Sequence, residues 1–281
     1  MMDKNYKINT IYSIILDKLK KIKHRKTDCS TVNYMYRNSL SPVNLIKTDF
    51  ANPICFPYFH GHPIVLEMNL CDLQRYVFSE NMDPYINACK AYIKYRNMQS
   101  ILKVLSSFYS NFQPSSVSDL FDLGGSEKPD VPVSAVPLPW EYVSVAWHAE
   151  QSKKIVSAER RAKISDSFQT NLYGPLDFKF IEIEARRIAT ITESMIKSGY
   201  IRNDGSDGDI EVYMLYKSQS NFRFIVRSGS HRFAAAKAIG IEKLPVRLFQ
   251  IIYYDHAEQW PCVVQKIYTV EQARKIFHRF F

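Results

Sequence analysis

The chain has 281 residues, of which 46% are hydrophobic and 14% aromatic, a composition typical of a folded globular protein and not of a disordered one. It contains no run of about 18 apolar residues, so the sequence predicts no membrane span. The net charge is +9, but residues 1–26 alone carry +6 of it. A basic surface over the whole fold, as expected of a general nucleic-acid binder, is therefore not indicated.

Residues 1–26 are predicted to form a basic helical extension. Apolar residues recur there at helical spacing, with lysines on the other face: Ile8, Ile11, Ile15, Leu19 and Ile22. One interpretation is a solvated helix that packs on its own protein, and the other is a segment that contacts an anionic partner such as a membrane surface. The apolar patch at 11–16 is too short for a secretory signal, so a cytoplasmic location is predicted.

Residues 27–123 are predicted to form an N-terminal α+β region in which helices predominate. The run PIVLEMNL at 63–70 is strand-like. Asp83 and Pro84 are a suitable N-cap and first helical residue for the helix that follows, and a second helical run, SILKVLSSFY, ends near Pro114.

Residues 124–139, GGSEKPDVPVSAVPLP, are rich in Gly, Pro and Ser and are predicted to be a linker. We therefore expect a domain boundary here, with a second domain at 140–281.

The second domain has the clearer pattern of elements. A long helix is predicted at 178–200, with Gly199 ending it and with Phe180, Ile183, Ile188, Ile191 and Met195 on one face. Two strands joined by the turn SQSN follow, then a short alanine-rich helix closed by Gly240 and another strand, LPVRLFQIIYY. The last helix is predicted to begin after Thr269 as N-cap.

The turn between the second of these strands and the alanine-rich helix reads Ser228-Gly229-Ser230-His231-Arg232. A helix N-terminus has unpaired backbone amides and the positive end of the helix dipole. Glycine allows a ligand to approach the backbone closely, and the serines add hydroxyl groups. The arginine can bind a phosphate through bidentate hydrogen bonds, and the histidine can donate a hydrogen bond or transfer a proton. The five residues are candidates for a phosphate site. The alternative interpretation is an ordinary turn in which a serine caps the helix and the arginine pairs with a carboxylate.

The segment SGSHRFAAAKAIGIEKLPV resembles the signature of the ParB/sulfiredoxin superfamily. The matching residues are Gly229, His231, Arg232, Ala235, Ala236, Gly240, Pro245 and Val246. The resemblance implies an α+β fold with a mixed sheet and helices in the C-terminal half, and a nucleotide bound through its phosphates at residues 228–232.

Departures from the family pattern select among its activities. Ser230 stands where sulfiredoxins have their cysteine, and a serine hydroxyl is a poor substitute for a thiolate, so a sulfiredoxin is not expected. Partition proteins carry G-E-R-R in this turn, whereas this chain has G-S-H-R. Another charged segment, AERRA at 158–162, lacks the glycine and is interpreted as a helix surface.

The remaining resemblance is to the G-x-H-R branch that includes free-serine kinases. It implies a phosphotransferase that uses ATP, ADP or CTP with Mg²⁺ and acts on a small hydroxylated acceptor. Glu141 is the candidate general base, with Glu150 second, and His231 is the candidate assisting residue. The alternative is a non-catalytic module that binds a nucleotide or DNA.

No metal site within the protein is predicted. The five cysteines are scattered and never form C-x-x-C. The loop at 203–211 alternates Asp204, Asp207 and Asp209 with glycines, but it lacks the closing glutamate of a calcium loop, and the pair His60 and His62 has few other ligands nearby. The three tryptophans are interpreted as packing residues.

Overall fold

The structure is a computed structural model that describes residues 43–44, 64–76, 78–123, 138–141, 172–202, 209–218 and 220–281. Its fold is α+β, as the sequence predicts. Within the described residues, no helix has the length and apolar character needed to cross a membrane. The predicted basic helix at 1–26 lies outside these residues.

The described residues contain seven α-helices, which are numbered in chain order. They are α1 (Pro84–Tyr95), α2 (Met98–Asn111), α3 (Val117–Phe121), α4 (Phe178–Ser198), α5 (Ser230–Ile239), α6 (Pro261–Val264) and α7 (Val270–His278). In the same part of the chain, two 3₁₀ segments lie at Leu70–Asp72 and Tyr254–Gln259.

The strands form a six-stranded mixed sheet. They are β1 (Val43–Asn44), β2 (Ile64–Asn69), β3 (Leu73–Arg75), β4 (Ile210–Ser218), β5 (Asn221–Ser228) and β6 (Lys243–Tyr253), in the spatial order β1-β2-β6-β4-β5-β3. The hairpin β4–β5 is antiparallel, and the chain then crosses through α5 to β6, which runs parallel to β4. Two strands from the N-terminal part of the chain extend the sheet: β2 pairs antiparallel with β6, and β3 pairs parallel with β5.

Each face of the sheet is covered by its own apolar core. Alternate residues of β4, such as Val212 and Met214, pack with α1, α2, α4 and α5 in the first core. The intervening residues, such as Tyr213 and Leu215, pack in the second core against α3, Trp140 and the C-terminal segment. The described residues therefore form a helical layer, the sheet, and a second layer to which the last 30 residues contribute most.

Several sequence-based predictions of local structure are confirmed. Asp83 caps α1 by accepting hydrogen bonds from the amides of Tyr85 and Ile86, and Pro84 is the first helical residue. Gly240 ends α5 in the left-handed conformation. Thr269 caps α7 in a capping box with Gln272.

The predicted domain boundary at 124–139 does not separate two compact units. Residues 40–281 form one unit, and the predicted regions 27–123 and 140–281 share one sheet and both cores. The physical reason is long-range strand pairing, since β2 and β3 extend, on either side, the three strands β6, β4 and β5 of the C-terminal half.

The buried stripe of α4 also differs from the predicted one. Phe180, Ile188 and Met195 are buried as predicted, whereas Ile183 and Ile191 are only half-buried. The polar residues Glu184 and Thr192 lie within the buried stripe and are fully enclosed. A carboxylate in this position requires partners inside the protein, which the next section describes.

Candidate functional site

The predicted phosphate-binding turn lies between the end of β5 and the start of α5. Gly229 is the N-cap, with φ +84° and ψ +24°, a left-handed conformation that glycine adopts without steric cost. Because the N-cap is a glycine, it has no side chain to cap the first amides of the helix. A Cβ at this position would lie 3.2 Å from the Cα of Ile210 and 3.1 Å from its Cγ1. The turn is thus packed closely against the start of β4 on one side.

The guanidinium of Arg232 folds back toward the beginning of the helix. Its Nη2 lies 3.5 Å from the position that a Cβ on Gly229 would occupy. Arg232 and Ser230 are half-buried, and Ser228 is exposed. The arrangement places a planar cation beside the positive end of the helix dipole, a combination suited to oxygen anions. Four of the five predicted ligands, Ser228, Gly229, Ser230 and Arg232, are therefore grouped at one partly accessible place.

His231 points into the protein. It is 9% exposed, its Nε2 lies 2.7 Å from Oε2 of Glu184, and its ring lies 4.7 Å from the ring of Tyr85. The hydroxyl of Tyr85 donates a hydrogen bond to the same Oε2. Burial lowers the pKa of His231, and the contact with Glu184 offsets that effect only in part. The imidazole is thus neutral near pH 7 and donates its Nε2–H to the carboxylate.

A second buried pair adjoins this cluster. The guanidinium carbon of Arg75 lies 4.4 Å from the centre of the Tyr85 ring, and Arg75 binds Asp83 through Nε–Oδ2 at 2.6 Å and Nη2–Oδ1 at 3.0 Å. Burial alone would lower the pKa of Arg75, but Asp83 outweighs it and the net shift is upward. Both residues are almost completely enclosed. The contacts run continuously from Asp83 through Arg75, Tyr85 and Glu184 to His231, and they join α1, α4 and α5.

Glu141, the predicted general base, lies elsewhere. Its Oε1 accepts a hydrogen bond of 3.1 Å from the hydroxyl of Tyr213, whose ring packs in the second core. His231 instead stacks on Tyr85, a member of the first core. Since the two cores lie on opposite faces of the sheet, the structure does not bring Glu141 and His231 together.

A cation next to the turn interacts electrostatically with Glu141. Arg227, the residue before Ser228, forms an ion pair with Glu211, and its guanidinium carbon lies 3.8 Å from the centre of the Phe249 ring. Burial raises the pKa of Tyr213, as does the charge of Glu141. A tyrosine that stays protonated in this way serves as a hydrogen-bond donor to Glu141.

Some of the other residues singled out in the sequence lie in the described part of the structure, and some lie outside it. Asp209 is buried and forms an ion pair of 2.9 Å with the partly exposed Arg202, which gives it a structural role. Trp140 and Trp260 pack edge-to-face in the second core, 5.6 Å apart, as packing residues should. Among the described residues, no group of three or more His, Cys, Asp or Glu side chains is arranged to hold a metal ion. Six candidates lie outside the described residues: His60, His62, Trp147, Glu150, Asp204 and Asp207.

Glu184 and Tyr85 are functional candidates that were not predicted from the sequence. A signal for Glu184 was present, because it lies in register with Ile181 and Ile188 on the apolar side of α4. Tyr85 carried no comparable signal, since its contact with Glu184 joins residues 99 positions apart.

Comparison with known proteins gives no family assignment, since no family model, curated protein or solved structure matches the chain.

Proposed function

We propose that the protein binds the phosphate groups of a nucleotide at the turn 228–232. The observation that carries this proposal is the position of the Arg232 guanidinium beside Gly229, at a helix N-terminus whose N-cap has no side chain. Backbone amides, the helix dipole and a guanidinium converge there on one partly open place. The resemblance of the turn to the ParB/sulfiredoxin superfamily supports the same ligand class.

Isothermal titration calorimetry with ATP, ADP and CTP, each with Mg²⁺, tests the proposal. We expect saturable binding of at least one nucleotide and a loss of about tenfold or more in affinity for Arg232→Ala, because charge-assisted hydrogen bonds to phosphate are lost. Arg186→Ala is the matched control, since Arg186 is an exposed arginine on α4 and not one of the residues 228–232. An absence of heat with all three nucleotides would contradict the proposal, as would equal affinities of the Arg232 and Arg186 variants.

The enzymatic form of this proposal is a phosphotransferase that acts on a small hydroxylated acceptor. It requires a base within hydrogen-bond reach of the acceptor hydroxyl. One observation favours the second candidate, a nucleotide-binding module without turnover: His231 is enclosed against Glu184, and Glu141 lies across the sheet from it.

Turnover separates the two candidates. ADP release from ATP can be followed with and without L-serine as the acceptor probe. Serine-dependent release that survives Glu141→Gln would indicate a phosphotransferase with a different base. Nucleotide binding without release would establish the binding module.

A further inference from the structure

A cavity of about 540 Å³ lies on the helical side of the sheet, away from the turn at 228–232. Its walls come from β3, the segment 78–83, the start of β5 and the middle of α5, and none of residues 228–232 lines it. Its size is within the range of small-molecule sites in proteins. The cavity is therefore distinct from the proposed nucleotide site, and no activity described above uses it.

Buried aromatic side chains are part of the cavity wall. Phe78, Phe224 and Phe233 line the cavity, and each is at most 3% exposed. They come from the segment that follows β3, from β5 and from α5. Contact with these rings favours a ligand with an aromatic or aliphatic body, because the burial of that body removes apolar surface from water.

A buried arginine also lines the cavity and has donor capacity to spare. Arg75 is 2% exposed, and its Nε and Nη2 are used by Asp83. Among the described residues, no acceptor binds its Nη1. Asp83 is itself fully engaged, since its Oδ1 also accepts the amides of Tyr85 and Ile86, at 2.8 and 3.3 Å. The buried counter-ion therefore leaves one guanidinium nitrogen available for an oxygen acceptor.

A second cation lies on the wall of the cavity. Lys237 is 14% exposed and contacts Oε2 of Glu80 at 3.1 Å, while Glu80 is 46% exposed. The hydrogen bond from Lys237 lowers the pKa of Glu80, so Glu80 is ionised at neutral pH. Each of the two cations is thus paired with one carboxylate, and Glu80 is the more exposed of these two carboxylates.

From this arrangement, we infer that the cavity binds a small organic acid, with its carboxylate against Arg75 and Lys237 and its apolar body on the three phenylalanines. Two sources share this chemistry. One is a simple aryl or alkyl carboxylate, and the other is an apolar amino acid whose ammonium group meets Glu80 at the entrance. The inference goes beyond the proposed nucleotide site and does not depend on it.

Calorimetric titration of the full chain with 3-phenylpropanoate tests the site. We expect saturable one-to-one binding of this acid and no saturable binding of 2-phenylethylamine, which has the same ring but no carboxylate. Tighter binding of L-phenylalanine than of 3-phenylpropanoate would support the amino-acid source, and the reverse order would support the simple acid. Failure of both carboxylates to bind, or equal binding of the amine, would overturn the inference.

Two lysines provide a matched pair of variants. Lys237 and Lys90 both contact Glu80, but only Lys237 lines the cavity. We expect Lys237→Met to weaken 3-phenylpropanoate binding about tenfold through loss of a charge-assisted contact, and Lys90→Met to leave it unchanged. Arg75→Lys keeps a positive charge beside Asp83 and should abolish binding in a variant whose circular dichroism remains native. Unchanged affinity in Lys237→Met would contradict the assignment.

Cys71 gives a readout at the cavity itself. It lines the cavity and is exposed, whereas Cys89 and Cys262 are buried. Bound 3-phenylpropanoate should slow alkylation of Cys71 by iodoacetamide, measured on its own peptide by mass spectrometry, and an unchanged rate would count against the site. Arg232→Ala should leave this protection intact, which keeps a failure of the nucleotide proposal distinguishable from a failure of this one.

Discussion

His231 and Glu184 form a short hydrogen bond, 2.7 Å between Nε2 and Oε2, inside the layer that joins α5 to α4. The bond connects the second residue of α5 to a carboxylate on α4, the longest helix among the described residues. It therefore fixes the start of α5, and with it the turn at 228–232, relative to the rest of the helical layer.

The first prediction concerns acid pH. Burial lowers the pKa of His231 below the ordinary histidine value of about 6.5. As the pH falls through about 6.5, the unfolded chain takes up a proton that the folded protein does not, so this residue makes the folded state less stable as the solution becomes more acidic. The melting temperature should fall between about pH 7 and pH 5, and it should fall less steeply in His231→Gln. His256→Gln, which changes an exposed histidine, is the control and should keep the wild-type slope.

The second prediction concerns the other donor to Glu184. Tyr85→Phe removes one of the hydrogen bonds to this enclosed carboxylate while keeping the ring that stacks on His231. The expected loss in the free energy of unfolding is about 1–3 kcal/mol, the cost of leaving a buried polar group with one partner fewer. Tyr95→Phe, at a tyrosine that is 56% exposed, should change it by less than about 0.5 kcal/mol. If urea denaturation gave the same loss in the free energy of unfolding for both variants, this result would argue against a structural role for the contact between Tyr85 and Glu184.

Asp83 is the site of the third prediction. It pairs with the buried Arg75 and also caps α1. Asp83→Ala leaves an unpaired buried guanidinium and removes the cap, so we expect a loss of about 3–5 kcal/mol. Asp255→Ala, at an exposed aspartate, should stay within about 0.5 kcal/mol of the wild type in the same denaturation experiment.

The fourth prediction compares two glycines. Gly229 and Gly240 both have positive φ, +84° and +88°, but only Gly229 has atoms where a Cβ would lie. Gly240→Ala should cost about 1 kcal/mol for the backbone conformation alone. Gly229→Ala should cost more, because the added methyl group also presses on the backbone of Ile210. A smaller decrease in melting temperature for Gly229→Ala than for Gly240→Ala would show that a Cβ at residue 229 fits beside Ile210 without displacing it.

Local structure was largely predictable from sequence, because its determinants lie within a few residues of each other. The N-cap Asp83, the stop at Gly199 and the capping residue Thr269 are all where the pattern placed them. The pairing of β2 with β6 and of β3 with β5 was not predictable, since periodicity within a segment does not indicate a partner more than 100 residues away.

The candidate site was predicted only in its local part. The left-handed Gly229 and the position of Arg232 follow from a strand-turn-helix pattern in adjacent residues. The orientation of His231 depends on Glu184 and Tyr85, which reach it from other helices, and the position of Glu141 depends on Tyr213 in the opposite core. Contacts of this kind are set by the packing of the whole sheet.

The contribution of β2 and β3 to the sheet has a practical consequence for the expression of fragments of the chain. A fragment that starts at residue 140 would lack β2 and β3, and so the outer edges of β6 and β5 would both be left with open backbone amides and carbonyls. Such edges recruit strands from other chains, so the fragment should self-associate when expressed alone. Supplied together with residues 40–123, it should instead reassemble a soluble heterodimer, in the manner of a split protein.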